Sequence, residues 1–231
     1  DPAIGSLIDT WNLRGQGHVP SPAELARARA AAGFGRFSFD PRRHTVSRDN
    51  GASWIDTGGF GKGVALREAR RALARRGIRS ALLNFGGQVL AIGSDRRGGD
   101  WTVPVAHPSQ RTRPAARLYC QGCSASTSSQ SERFVVIGGQ KFGHIIDPRS
   151  GRPVSPWGSV TVVAEDPAVA DMLSTALLVL GPHAGLEWAR ARSDVGVLFL
   201  VEKQDGLEHR WNPAMEPFLN SKQWRSSDTG N

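Results

Sequence analysis

Hydrophobic and polar positions along the chain follow helical spacing in some segments and strand-like alternation in others. The first clear helix covers residues 21–33, with Ser21 as N-cap and Pro22 in its first turn. Glu24 completes a capping box with Ser21, and Gly33 ends the segment. A capping box satisfies backbone N–H groups that the helix's own hydrogen bonds leave free, so the sequence defines this helix start well.

Three later segments also show helical spacing. Apolar residues recur at that spacing from Val64 to Arg76, and Gly77 ends the pattern. A strongly apolar helix is predicted over residues 167–181, because an aspartate and a proline precede it and a glycine ends it. A shorter helix is expected over residues 182–192.

The segments between these helices alternate like strands and are separated by turn-forming residues. The glycine pair of "NFGG" divides one segment into two strands, and "VIGGQ" predicts a hairpin turn. The segments are "FSFD", "HTVSRDNG", "IRSALLNFGGQVLAIG", "DWTVPVAH", "RFVVIGGQKFGHIID", "SVTVVAE" and "VGVLFLVE". Without repeats or a clear boundary, the pattern predicts one mixed sheet-and-helix domain of the α+β class over residues 1–220. Residues 221–231 are predicted to be a polar tail.

The composition is that of an ordinary globular protein and does not change the predicted fold. The distribution of charge indicates which kinds of ligand the protein could bind. The 231 residues are 39% hydrophobic and 22% charged, as in ordinary globular proteins. No run approaches the ~18 apolar residues of a membrane helix. The net charge of +8 is mostly arginine and is scattered, without the basic and aromatic clustering of single-strand binders. We therefore expect a solvated basic surface, with some benefit for an anionic ligand, and no nucleic-acid partner.

The two cysteines, Cys120 and Cys123, are spaced C-x-x-C. A zinc site usually needs a second pair of ligands at similar spacing, and the sequence has none. A local disulfide or two unpaired thiols is the favoured interpretation.

The stretch "DTGGFGKG", from Asp56 to Gly63, is the first candidate for chemistry. It matches neither the Walker loop nor the dinucleotide fingerprint G-x-G-x-x-G. Glycines before a helix nevertheless let backbone N–H groups approach an anion, and Lys62 supplies a positive charge. The alternative is a glycine-rich turn with a solvated lysine, which these residues alone favour.

The apolar helix at 167–181 holds the second candidate. Asp171 and Thr175 are four residues apart and share one helix face. Their oxygens suit Mg2+, with phosphate and water completing its coordination. Alternatively, Thr175 bonds back to the carbonyl of residue 171, or the two side chains form a buried hydrogen bond.

Three further stretches leave their interpretation open. In "HIIDPRSG", His144 could act as acid or base, although an ordinary turn built on Asp147 explains the pattern equally. The glycines of "NFGG" permit either close approach to a ligand or a β-bulge. The hydroxyl-rich "SASTSSQS", residues 124–131, is either a polar loop or a set of donors around a ligand.

Five of these stretches, in this order, resemble the motifs of the FAD:protein FMN transferases, the ApbE family. "DTGGFGKG" resembles D-x-G-[GA]-x-[AG]-K-G, and "ALLNFGGQVLAIG" resembles A-L-[VI]-[ND]-x-G-G-[DNE]-x-x-x-x-G. "SASTSS" corresponds to S-T-S-G, and "HIIDPRSGRPV" to H-I-I-D-P-[RK]-[TS]-G-x-P. "SVTVVAEDPAVADMLSTALLVLG" resembles S-V-T-V-x-A-x-x-x-x-x-A-D-A-L-[AS]-T-A-[LF]-x-[VL]-G. The resemblance covers residues 1–200, and the ordered set of motifs makes it specific.

This resemblance implies a transferase that uses FAD and Mg2+. Family members cleave the FAD pyrophosphate, attach FMN through its phosphate to a threonine of an acceptor protein, and release AMP. Some members instead hydrolyse FAD to FMN and AMP, so a pyrophosphatase or a non-catalytic flavin-binding protein is the alternative. Family acceptors include subunits of membrane redox complexes, and many members are exported or membrane-anchored, so we expect the same here.

The resemblance also implies roles for residues at the matching positions. Asp171 and Thr175 would bind Mg2+ through their side chains, and Gly59 through its backbone carbonyl. His144 would take the proton of the incoming threonine, and Lys62 would lie near the phosphates. The residues expected to contact FAD are Asp56, Gly58, Lys62, Gly86, Gly87, His144, Ile145 and Asp147.

The chain departs from the family pattern in four places. Gln88 follows the paired glycines where an acidic residue is usual, Ser129 replaces a frequent glycine, and Gly61 replaces a common alanine. The chain also begins with "DPAIGSL", inside the family's F-D-P-x-[VI]-x-P-L stretch, and without an initiator Met. We therefore expect an ApbE-like domain that lacks the family's N-terminal segment, part of which helps to hold FAD.

Overall fold

The structure is a computed structural model, and it describes residues 1–219. The chain forms two compact units. The first comprises residues 1–59 and 130–156, and the second comprises residues 60–129 and the chain from residue 157 onward. The predicted tail at 221–231 lies outside the described residues. Within the described part of the chain, every helix is too short or too polar to cross a membrane.

The elements follow one another along the chain as a mixture of helices and short strands. The α-helices are α1 (Gly5–Trp11), α2 (Pro22–Ala31), α3 (Gly61–Arg75), α4 (Pro167–Leu180) and α5 (Pro182–Arg190). The first strands are β1 (Phe37–Asp40), β2 (Thr45–Arg48), β3 (Ala81–Phe85), β4 (Gln88–Ile92), β5 (Trp101–Ala106), β6 (Pro114–Cys120) and β7 (Ser124–Ser129). The others are β8 (Phe134–Ile137), β9 (Gln140–Gly143), β10 (Ile146–Asp147), β11 (Arg152–Pro153), β12 (Gly158–Ala164), β13 (Gly196–Lys203) and β14 (Gly206–Trp211).

The first unit packs α1 and α2 around a small apolar core. Its buried members are Leu7, Ile8, Trp11, Leu25, Ala28 and Ile146. The predicted capping box is confirmed, because Ser21 Oγ accepts from the Glu24 N–H and the Glu24 carboxylate accepts from the Ser21 N–H. Helix α1 was not predicted, since its seven residues are too few for a helical period to stand out and no side chain caps its start.

The second unit is built on a six-stranded antiparallel sheet with the order β14-β13-β12-β7-β4-β3. Helices α3, α4 and α5 contact one face, α4 lying over β7 and β12. On the other face, the β5–β6 hairpin contributes to the core. That core contains Ala91, Val103, Val105, Ala116, Leu118, Cys120, Cys123, Ala125, Val163, Leu198, Leu200, Met215 and Leu219. Cys120 and Cys123 form the local disulfide that was one of the two favoured interpretations.

Two stretches left open by the sequence are resolved here. Residues 124–129 form the interior strand β7, so the interpretation of this stretch as a polar loop is wrong. The glycines at 86 and 87 are the two residues of a tight turn between β3 and β4, with φ of +59° and +90°. Such hairpin turns need positive φ, which glycine adopts without strain, so the bulge interpretation is also wrong.

We expect Ser21→Ala to lower the free energy of unfolding by about 1 kcal/mol, because the α2 N-terminus loses its cap. The pKa of Glu24 is lowered from 4.5 to about 2. The largest cause is the hydrogen bond from the Ser21 hydroxyl, and the next is the hydrogen bond from the Ser21 N–H. A lowered pKa means that the carboxylate stabilises the fold above pH 4.5 and loses that effect as the pH falls toward 2.

Urea unfolding and an NMR titration of Glu24 would measure both effects. The pKa should rise in Ser21→Ala and stay low in the control Ser155→Ala, whose serine is exposed and outside any helix. An unchanged Glu24 pKa in Ser21→Ala would contradict this account.

Candidate active site

The first turn of α3 and the middle of α4 meet at the buried carboxylate of Asp171. Its side chain is 1% exposed, yet Oδ1 lies 3.0 Å from the ammonium of Lys62 and Oδ2 accepts from the Gly63 N–H at 2.9 Å. An ionised carboxylate is costly to bury without such partners. The start of α3 therefore supplies a positive charge, an N–H donor and the positive end of a helix dipole to one acid.

Gly63 lets the two helices come this close. A Cβ added at this position would lie 2.6 Å from Ala168 Cα and 2.8 Å from Asp171 Cβ. Since real side chains do not tolerate such contacts, any larger residue would push α3 away from α4. The glycine after Lys62 thus has a packing reason in addition to the anion-binding reason inferred from the sequence.

A chain of hydroxyl groups lies on the other side of Asp171. Ser126 Oγ is 3.4 Å from Asp171 Oδ1, and Ser174 Oγ lies 3.2 Å from Ser126 Oγ and 2.9 Å from Ser128 Oγ. Ser128 Oγ is in turn 3.4 Å from Thr175 Oγ1. The serines of β7 that face the helices therefore connect Asp171 to Thr175, and strand alternation explains why every second residue takes part.

Asp171 and Thr175 share one helix face, as their spacing predicts. Thr175 Oγ1 also lies 3.3 Å from the carbonyl of Asp171, so the back-bonding considered from the sequence is present as a long contact. A hydroxyl that donates inward keeps its oxygen lone pairs available to a cation. The pair accordingly offers one carboxylate and one hydroxyl oxygen.

This donor set fits magnesium. Mg2+ prefers oxygen ligands and is commonly held by one or two carboxylates, with phosphates and water completing the octahedron. Among residues 1–219, no group of three or more histidine, cysteine or acidic side chains could hold a metal by itself. A site with a single carboxylate suits a cation that arrives with a phosphate-bearing ligand.

Gln88 anchors the start of α4 to the sheet. Its Nε2 donates to the carbonyl of Pro167 at 2.7 Å and to Ser124 Oγ at 3.2 Å, and the side chain is 1% exposed. An ionised acid here could accept but not donate to that carbonyl. The departure from the family pattern at this position therefore has a physical role in placing α4, which the sequence did not reveal.

The remaining predicted residues of the second unit lie at the β3–β4 turn. A Cβ added at Gly86 would be 3.4 Å from Lys62 Cδ, whereas one at Gly87 would meet nothing within 4 Å. The turn therefore runs beside the aliphatic stem of Lys62. Phe85, which precedes it, is 52% exposed.

Asp56, Gly58 and Gly59 belong to the first unit. Arg14 donates to Asp56 Oδ1 at 2.6 Å, and the Asp56 N–H donates to the carbonyl of Pro2. A Cβ added at Gly58 would lie 2.9 Å from Asp56 Oδ2, so this glycine leaves room for the carboxylate. The parts of Asp56 and Gly58 in FAD binding and of Gly59 in metal binding stay predictions.

His144, also in the first unit, is half-buried, and its Nδ1 lies 3.0 Å from the carbonyl oxygen of Arg133. A carbonyl can only accept, so Nδ1 carries the proton of the neutral ring. Nε2 is then the nitrogen with a lone pair, which a general base requires.

The neighbouring residues Ile145 and Asp147 are held within the first unit. The backbone N–H and carbonyl of Ile145 both bond to the Gln130 amide, at 3.0 and 2.7 Å. Partial burial raises the pKa of Asp147, but the hydrogen bonds and charge of Arg149 outweigh this and leave that pKa below its ordinary value. Arg149 contacts both carboxylate oxygens, which favours the turn interpretation of "DPRSG", and FAD contact by either residue stays a prediction.

The structure thus brings together four of the predicted residues, Lys62, Gly86, Asp171 and Thr175, within one unit. A model of the ApbE family matches residues 1–199.

The chain belongs to the ApbE family.

Relatives and solved structures of ApbE proteins agree with this assignment. The FAD:protein FMN transferase of Rhodobacter capsulatus is 34% identical over 211 residues, which are 89% of this chain and 39% of the relative. The one from Vibrio cholerae is 29% identical over 224 residues, 95% of this chain and 66% of the relative. This chain therefore spans between about two fifths and two thirds of these two ApbE relatives.

Solved ApbE structures share the fold. The flavin transferase ApbE from Vibrio cholerae has a TM-score of 0.81 at 28% identity, covering 95% of this chain and 70% of that one. The ApbE protein of Thermotoga maritima has a TM-score of 0.83 at 29% identity, covering 95% and 72%. The predicted α+β class is confirmed.

We expect Gly63→Ala to destabilise this ApbE domain by about 1–3 kcal/mol, because the added methyl group overpacks the α3–α4 contact. Chemical denaturation would measure the loss. Gly35→Ala is the matched control, since a Cβ there meets nothing within 4 Å and should change stability little. Equal effects of the two substitutions would argue against the close helix contact.

Proposed function

We propose that the protein is a Mg2+-dependent FAD:protein FMN transferase. It would move FMN from FAD onto a threonine of an acceptor protein and release AMP. The names of the relatives support the reaction, and one observation on this chain carries the proposal. That observation is the buried acid Asp171, flanked by Lys62 and by the Thr175 hydroxyl, at a glycine-lined helix start.

The reaction needs charge neutralisation and alignment more than covalent help. In the proposed step, the threonine oxygen of the acceptor forms a bond to the phosphorus of the FMN half, and the bond to the AMP phosphate breaks. The bound Mg2+, held by Asp171 and Thr175, would supply charge stabilisation on the pyrophosphate. Lys62 would add an ammonium beside the same oxygens.

His144 would remove the threonine proton. Its Nδ1–H is occupied by the carbonyl of Arg133, which leaves Nε2 as the basic nitrogen of the neutral ring. The proton that leaves the threonine hydroxyl would pass to this nitrogen as the new oxygen–phosphorus bond forms. AMP then departs with the negative charge of the broken pyrophosphate.

The acceptor would be a threonine-bearing protein, such as a subunit of a membrane redox complex, and the location exported or membrane-anchored. Only the family resemblance supports these two points.

The test is flavin transfer to the acceptor protein of the Vibrio cholerae relative, followed by flavin fluorescence on a denaturing gel. Asp171→Asn should reduce transfer at least about 100-fold, as expected when transition-state charge loses its stabilisation. Thr175→Val should also reduce it. Thr127→Val is the matched control, because the Thr127 hydroxyl pairs with Thr161 on the opposite face of β7 and transfer should persist.

Each alternative gives a different product. AMP release that does not depend on acceptor would identify a pyrophosphatase, and FAD binding without AMP would identify a binding protein. Transfer that survives Asp171→Asn unchanged would refute the proposed role of this site.

A further inference from the structure

Lys62 has two prospective partners, Asp171 and the phosphates of FAD. Its ammonium lies 3.0 Å from Asp171 Oδ1 in the structure, whereas the proposed function requires it beside the phosphates of FAD. Asp171 is also the acid expected to hold the cation. The same carboxylate oxygen is thus the partner of a lysine and a prospective ligand of a metal.

We propose that Lys62 exchanges between Asp171 and the phosphates of the dinucleotide, and that this exchange couples the binding of Mg2+ to the binding of FAD. The inference rests on the proposed function and adds a thermodynamic role for the lysine. Mg2+ that binds at Asp171 displaces the ammonium, and FAD that binds nearby receives it.

The electrostatics of the carboxylate favour this displacement. Lys62 and Ser126 both contact Asp171 Oδ1, and Oδ2 accepts from the Gly63 N–H, so a cation bound to either oxygen would lie within a few Å of the ammonium. Two positive ions within a few Å of one buried oxygen repel strongly, because the 1% exposed site gives little water screening.

The geometry allows the lysine, and not the acid, to move. Asp171 lies in the middle of α4 and is held by the Gly63 N–H and by Ser126, whereas the Lys62 side chain is 35% exposed on a flexible stem. Gly86 lies beside that stem and has no side chain that could obstruct it. A Cβ added at Gly86 would lie 3.4 Å from Lys62 Cδ, which is van der Waals contact distance. The ammonium can therefore leave Asp171 without movement of either helix.

The binding of Mg2+ and the binding of FAD are coupled because each ligand must break the same ion pair between Lys62 and Asp171. Mg2+ alone must break it, and FAD alone must break it to gain the lysine. When both bind, the pair breaks once for the two ligands together. Each ligand therefore raises the affinity for the other, and linkage makes the two effects equal.

The decisive variant is Lys62→Gln, with Mg2+ binding measured by calorimetry with and without FAD. Mg2+ alone should bind the variant more tightly than the wild type, by roughly 5- to 150-fold, the usual range for coupled sites. The increase in Mg2+ affinity caused by FAD should shrink in the variant, leaving only direct contact between cation and phosphate. Lys203→Gln is the control, because Lys203 forms an ion pair with Glu208 at 3.7 Å and should change neither value.

The outcomes separate this inference from the proposed function. If wild-type protein binds Mg2+ with FAD but Lys62→Gln binds Mg2+ alone no more tightly, the exchange is refuted and the transferase proposal stands. If wild-type protein binds no Mg2+ even with FAD, the magnesium-dependent function fails, and the exchange fails with it.

A second measurement keeps the wild-type side chain charged and needs no variant. Lysine occurs only at positions 62, 141, 203 and 222, so reductive methylation with carbon-13 gives few lysine signals for NMR. Mg2+ without FAD should shift the Lys62 signal well beyond those of the other lysines, because its ammonium leaves Asp171. A Lys62 signal that does not respond to Mg2+ would overturn the exchange.

Discussion

The carboxylate of Asp171 is the constraint on which the second unit depends. A charge on the buried face of an apolar helix is tolerated only if the surrounding elements supply donors or opposite charge. Here the start of α3 supplies the Lys62 ammonium and the Gly63 N–H, and β7 supplies Ser126. Helix α3, helix α4 and the middle of the sheet are therefore placed by the needs of one acid as well as by apolar packing.

Polar contacts elsewhere in the unit serve the same placement. Gln88 links the first residue of α4 to the sheet, and the hydroxyls of Ser128 and Ser174 continue the contact from Asp171 toward Thr175. The hydroxyls are largely buried and each can both donate and accept, so together with Ser126 they form a continuous chain from Asp171 to Thr175, beside the separate contacts of Gln88. Such a network fixes oxygen positions more sharply than apolar packing alone, as a cation and a pyrophosphate would require.

Local signals predicted much of the fold. The capping box at Ser21, the aspartate, proline and glycine that bound α4, and the paired glycines of the hairpins specify geometry over a few residues. Helix α1 was not predicted, because it is short and no side chain caps its start. Strand β7 was not predicted, because its serine-rich composition is typical of loops and only its position inside the sheet makes it a strand. The role of Gln88 could not be predicted, because its partner Pro167 is 79 positions away in the sequence.

The sequence by itself determined the ApbE family pattern, and it predicted candidate residues for the chemistry: an acid and an alcohol one helical turn apart, and a lysine after glycines. These features are local or are fixed in their order along the chain. Only the tertiary structure decided that Gly63 and Asp171, 108 positions apart, form a hydrogen bond and that Lys62 neutralises the acid. The pairing is necessary because Asp171 is buried. Burial arises when elements distant in the sequence pack together, so it cannot be predicted from residue spacing alone.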